Sequence, residues 1–152
     1  MPDSTILRLV GMGIPPYSAR GIQESLSPIG ESIQLRRTIN GALDDVSDPL
    51  FRKYQVSWSA TDMDPPAIEG VWSGLQLVVD CITELAVLGT FEADSEGGSE
   101  PGFDRMVVPG SVRHADGFTF YRPRLTMRVT GFSIDRGEWE ASVAWQLSAE
   151  EV

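Results

Sequence analysis

Glu138-Trp139-Glu140-Ala141-Ser142-Val143-Ala144-Trp145-Gln146-Leu147 is the stretch that decides the fold class. Trp139, Ala141, Val143, Trp145 and Leu147 fall on one side of an extended chain, and the residues between them fall on the other. A period of two sustained this long describes a strand with one face in a core and one face in water. Tyr54-Gln55-Val56-Ser57-Trp58-Ser59-Ala60 repeats the pattern, as does Arg124-Leu125-Thr126-Met127-Arg128-Val129-Thr130. The alternation predicts an antiparallel sheet, with Trp58, Trp139 and Trp145 in its core.

Weaker signals surround these three strands. Residues 75–87 carry apolar groups on both faces, which suits a central strand or one at a subunit contact. Residues 5–10 and 33–39 read as strands. Asn40-Gly41 after Ile39 predicts a hairpin with a type I′ turn, because that turn needs positive φ at both central residues. Residues 131–137 read as the connection of a second hairpin. A short helix is expected over 18–26, capped by Ser18 and stopped by Pro28, and a second is possible over 68–75. Residues 11–17 are too rich in Gly and Pro to continue a ladder. Residues 90–116 read as a long Gly-, Pro- and acid-rich loop, of the kind that is functional or disordered in a small domain. The expectation is one all-β domain over 1–152, an antiparallel β-sandwich or barrel with long loops and at most one or two short helices.

Composition narrows the function classes. Length, 152 residues, suits one domain. Gly and Pro together make 25 residues, which favours turns and short strands. No apolar run approaches the length of a membrane helix, and the N-terminal residues do not read as a secretory signal. Cys81 is the sole cysteine, so neither a disulfide framework nor a cysteine zinc site is expected. A net charge of −10 argues against direct nucleic-acid binding. The cations are eleven Arg and Lys53. That bias fits bidentate pairing with carboxylates at contacts, and it fits Arg-rich codon usage equally.

Candidates for chemistry are sparse. His114 is the one histidine, with Ser111 and Asp116 nearby, but no Gly-x-Ser-x-Gly elbow is present and closeness in sequence does not make a triad. Asp44, Asp45 and Asp48, then Asp62 and Asp64, then Glu92, Asp94 and Glu96 are clusters that could supply calcium oxygens, yet none has EF-hand spacing. Turn chemistry accounts for such aspartates more simply. Gly11-Met12-Gly13-Ile14-Pro15-Pro16 begins like a phosphate loop, but prolines stand where the helix should start. No catalytic, cofactor-binding or metal-binding residue is therefore assigned, and no cofactor is expected.

Aromatic and arginine residues are enriched at interface cores. Trp72 lies outside any clean strand and is the leading interface candidate. Tyr17, Arg20, Arg36, Arg37, Phe91, Arg122 and Arg124 join it. Arg36 and Arg37 are adjacent, so one of them should face a core or a partner.

Four segments carry a resemblance: Ile14-Pro15-Pro16-Tyr17-Ser18-Ala19-Arg20-Gly21, Leu35-Arg36-Arg37-Thr38-Ile39-Asn40-Gly41, Phe51-Arg52-Lys53-Tyr54, and Phe120-Tyr121-Arg122-Pro123-Arg124-Leu125-Thr126-Met127. Together they resemble small β-rich virion structural proteins of tailed bacteriophages, over about residues 5–151. The acidic loop around Ser95 is where such relatives should differ. The resemblance implies a non-enzymatic part of a tail, baseplate or neck, with capsid decoration as the alternative. It implies assembly in the host cytoplasm, residence in the virion, and contacts with other virion proteins and with copies of the same chain. Trp72, residues 11–30 and the 90–116 loop are the expected contact regions. From the residues alone, a receptor- or carbohydrate-binding β module is a second reading, and a small hydrolase using His114 is a third.

Overall fold

The computed structural model describes every residue except 1–6, 11–12, 16, 68, 70, 93–102 and 104. The strands are β1 (Arg8–Val10), β2 (Gln23–Pro28), β3 (Leu35–Arg37), β4 (Leu43–Asp45), β5 (Tyr54–Asp62), β6 (Gln76–Asp80), β7 (Leu85–Leu88), β8 (Met106–Val107), β9 (Arg113–Ala115), β10 (Phe118–Tyr121), β11 (Pro123–Asp135) and β12 (Val143–Glu151). Two single 3-10 turns, Gly30–Ser32 and Pro49–Phe51, are the helical segments among the described residues. The protein is all-β and antiparallel, with a sandwich-like arrangement and no closed barrel among the described residues.

The main sheet runs β1-β6-β11-β12-β5-β2, and β8 also pairs with β11. Its three long strands are the three alternating stretches. Val56, Trp58 and Ala60 of β5 point inward with Leu125, Met127 and Val129 of β11 and Trp145, Leu147 and Ala149 of β12. Leu77 and Val79 of β6 complete that face. The register puts like with like: Trp58 opposes Leu147, and Val129 opposes Ala149.

One side chain ties edge strand β2 to the segment that follows β6. Glu24 of edge strand β2 accepts from the Trp58 indole Nε1–H at 2.7 Å. Its other oxygen accepts from the Ile82 and Thr83 amides and from the Thr83 hydroxyl, just beyond β6. The carboxylate thus joins β2 and the Trp58 indole of β5 to the β6–β7 connection. Residues 17–20 cover part of the core. Ser18 and Ala19 are buried, and the Ser18 carbonyl accepts from the Trp145 indole.

The segment 18–26 forms no helix. The chain turns at Gly21 (φ +68°) and then extends as β2, because the edge of β5 offers a full ladder from Ser59 to Tyr54. A nine-residue helix has too few internal bonds to compete with that. Pro28 is tolerated there because β2 is an edge. The 75–87 stretch divides into β6 and β7, which belong to different sheets. Of the possible helix over 68–75, residues 68 and 70 lie outside the described residues, and 71–75 hold a turn at 73–74 and no helix.

Trp139 is not in the core. β12 begins only at Val143, and Trp139 is 93% exposed in the connection before it. Alternation read as far back as Glu138 fails because β11 supplies partners only down to Asp135, opposite Ala144. In turn, residues 131–135 are strand and not loop. A bulge between Val129 and Gly131 lets the ladder continue, with Phe132 opposite Leu147.

A second sheet, β7-β10-β9, has its own small core of Phe103, Val107 and Tyr121, joined by Phe91. β8 and β9 both fall within 90–116, so part of the expected loop is structured. Its acidic stretch at 93–102 lies outside the described residues.

Candidate interaction surfaces

Among the described residues β3 and β4 pair only with each other. The hydrogen bonds of residues 34–47 stay within that segment: Val46 donates to Gln34, Thr38 to Ala42, and Gly41 to Thr38. The Gln34 amide donates to the Ser47 hydroxyl. The segment is an arm held to the body at its root. Positive φ falls on Gly41 (+82°) and not on Asn40. The turn is therefore a three-residue loop ending in a left-handed glycine, not type I′. Both Arg36 and Arg37 are exposed, since an arm has no core side; Arg37 donates to the Gly41 carbonyl. Leu35, Ile39 and Leu43 are exposed on the same arm.

An open groove of about 780 Å³ lies between the arm, the 3-10 turn at 49–51 and the ends of β11 and β12. Ile33, Leu35, Leu50 and Met106 give it apolar walls. Four cations, Arg52, Lys53, Arg105 and Arg124, line it with two carboxylates, Asp45 and Glu151. Arg105 pairs with Glu151 at 2.8 Å, and its guanidinium stacks on Tyr54. Arg124 holds Asp80 by two bonds, at 2.6 and 3.2 Å, across the β6–β11 ladder. That contact raises the guanidinium's proton affinity further. Neither Arg52 nor Lys53 has an ion pair among the described residues.

The other sequence-selected residues separate into exposed and committed groups. Trp72 is 73% exposed and meets Phe132 edge-to-face at 6.5 Å, so it remains an accessible aromatic. Tyr17 is a left-handed non-glycine (φ +63°), a conformation that costs about 1–3 kcal/mol. Its carbonyl accepts from the Met63 and Asp64 amides, and its ring lies under the Arg20 guanidinium. Arg20 grips Asp62 through its side chain and its own amide. These bonds hold the Asp62 carboxyl down at about 2 against its own burial. Arg20 is thus spent within the chain. Phe91 is half-buried and packs edge-to-face on Phe103 at the margin of the second core. Arg122 reaches the Cys81 carbonyl at 3.5 Å.

The chemical candidates are likewise tied down. The Thr119 hydroxyl donates to the Gly89 carbonyl and accepts from the Phe91 amide, so His114 Nδ1 contacts it as a donor. His114 Nε2 faces Glu92 at 3.1 Å. The Ser111 hydroxyl turns away to the Val108 carbonyl. Asp48 caps the 3-10 turn at Leu50, and Asp45 accepts from Ser47, so these aspartates do turn chemistry. Among the described residues no group of three or more potential ligands could hold a metal, and no helix is long and apolar enough to cross a membrane.

Two structural groups escaped the sequence reading. Glu24 sits in a stretch read as helix, and Asp62 sits at a strand end beside a turn-forming sequence. Nothing local marks either as a clamp, because the partners lie 34 to 59 residues away. Comparison with family models, curated proteins and solved structures finds no match to this chain.

Proposed function

We propose that this protein is a non-enzymatic structural component of a tailed-phage virion, a tail, baseplate or neck part that assembles through repeated subunit contacts. The observation that carries the proposal is the β3–β4 arm. A two-stranded hairpin by itself is marginal in water, and this one, unpaired with any other strand among the described residues, displays Leu35, Ile39 and Leu43. Exposed apolar groups grouped beside a groove mark a contact surface. Two of the four segments that resemble phage virion proteins, 35–41 and 51–54, form this arm and its root.

An acidic chain of net charge −10 suits a place where DNA passes without sticking. The partners are other virion proteins and copies of this chain. Mass spectrometry of purified virions from the source phage tests the proposal. The chain is expected at a stoichiometry that is a multiple of a rotational symmetry of the tail. Its absence from intact virions, with the protein abundant in infected cells, refutes it.

A further inference from the structure

The two ends of the long β11–β12 hairpin carry opposite surfaces. One end meets the groove, where Arg124 and Thr126 of β11 line its floor. The other end is the connection 136–142. Thr126 and Asp135 are nine residue steps apart, about 30 Å along an extended strand. The connection of one chain therefore lies far from its own groove.

The connection is built as a presenter. The Glu140 amide donates to the Gly137 carbonyl at 3.2 Å, closing a tight turn over Glu138 and Trp139. A Cβ at 137 would meet the end of the exposed Glu140 side chain at 2.8 Å, so a residue larger than glycine there would push Glu140 aside. The turn holds Trp139 out at 93% exposure between two glutamates. Asp135, Glu138 and Glu140 stand against Arg136, so this end is net negative. The groove has the opposite character: Arg52, whose charge acts on Asp45 across the groove, and Lys53 form no ion pair among the described residues, and they stand beside Leu50, which is 87% exposed.

We infer that the 137–140 turn of one copy docks in the groove of a second copy, Trp139 against Leu50 and the arm, Glu138 and Glu140 against Arg52 and Lys53. A second copy fits because the same chain carries both complementary halves, too far apart to meet within one molecule. The contact is heterologous, so it propagates head to tail and gives a ring if the rotation closes, a filament if it does not. A preformed turn lowers the ordering cost of binding, and a buried tryptophan is the usual anchor of such contacts. This deepens the assembly proposal, while its test is separate from the virion setting.

The test is the solution mass of the full chain by light scattering coupled to size exclusion, across concentration. The wild type should self-associate, less so at high salt. Trp139→Ala should weaken association at least tenfold. So should the double variant Arg52→Glu with Lys53→Glu, with circular dichroism showing both folded. Mixing these two variants should restore one contact and yield a dimer that grows no further. A wild type that stays monomeric, variants that associate like wild type, or a mixture that gives no dimer overturns the inference. A monomer that is nevertheless found in virions sinks this contact alone. A self-associating chain absent from virions sinks the virion proposal alone.

Discussion

Replacing Glu24 by Gln should loosen the main sheet, because one carboxylate ties β2 and the Trp58 indole to residues 82–83 beyond β6. Gln keeps the shape but has one acceptor oxygen, and four donors converge on Glu24. The lower-energy choice turns the amide oxygen to the three donors of Ile82 and Thr83. The amide NH2 then faces the Trp58 Nε1–H, donor against donor, where the two atoms had been 2.7 Å apart. Trp58 is fully buried, so no water can replace the lost acceptor. An orphaned buried donor costs about 1–3 kcal/mol. The three surviving bonds also lose their charge assistance, roughly half their strength. The sum is about 3 kcal/mol, a large share of the 5–15 kcal/mol typical of a domain. For a chain of this length it should lower the melting temperature by about 6–12 °C. Thermal and urea unfolding followed by tryptophan fluorescence at pH 7 reads both numbers. A loss below about 1 kcal/mol would show that Glu24 is not a structural tie between β2 and residues 82–83. The control Gln23→Glu, on the outer face of the same strand, should change stability little.

Asp62 ionises at about 2 in the folded chain against the 3.8 of an unperturbed aspartate, so its contribution is fully present above pH 4 and disappears between pH 4 and 2. Allowing for screening at the partly exposed Arg20, Asp62→Asn should cost about 1–2 kcal/mol at pH 7 and flatten the acid limb of a stability-versus-pH curve; an unchanged limb would exclude the pairing. Trp72→Ala should change unfolding free energy by less than about 1 kcal/mol, since only the edge-to-face contact with Phe132 is lost, while lowering association; a larger stability loss would place Trp72 in the fold and not at a contact. Cys81 is fully buried, and burial together with Glu24 and Asp80 pushes its thiol well up, so a chromogenic disulfide reagent should react with it only in denaturant. Prompt reaction of the native protein would contradict that burial.

The two dipeptides that favour tight hairpins show how far local sequence reaches. Asn40-Gly41 signals a turn and makes one, but of a three-residue kind, because Thr38 and Ala42 pair across it. Asp116-Gly117 adopts the two-residue form instead, with positive φ at both positions (+52° and +81°) between paired Ala115 and Phe118. Both signals are real; which turn each takes depends on the register of the flanking strands. The tryptophans divide in the same way. Trp58 and Trp145 alternate within strands that have partners on both sides, and they are buried. Trp139 keeps the same beat but has lost its partner strand, and it is exposed. Alternation reports which face a residue would take if paired, and says nothing of where pairing stops.

Among the interface candidates, residue type alone selects aromatics and arginines without distinguishing their uses. Trp72, Arg36 and Arg37 are exposed, whereas Arg20 and Arg124 are consumed by Asp62 and Asp80, and Phe91 packs at the margin of the second core. The difference lies in contacts 42 and 44 residues distant for the two arginines, which no window of sequence contains. By itself the sequence determines an antiparallel all-β chain, its three long strands and its inward faces, because a period of two is a local consequence of strand geometry. Only the tertiary structure decides that Glu24 ties β2 to the segment after β6, that β3 and β4 stand apart as an arm, and that an acidic, tryptophan-bearing turn and a basic groove occupy opposite ends of one hairpin. Those properties depend on which strands find partners, and pairing is a long-range outcome of the whole chain.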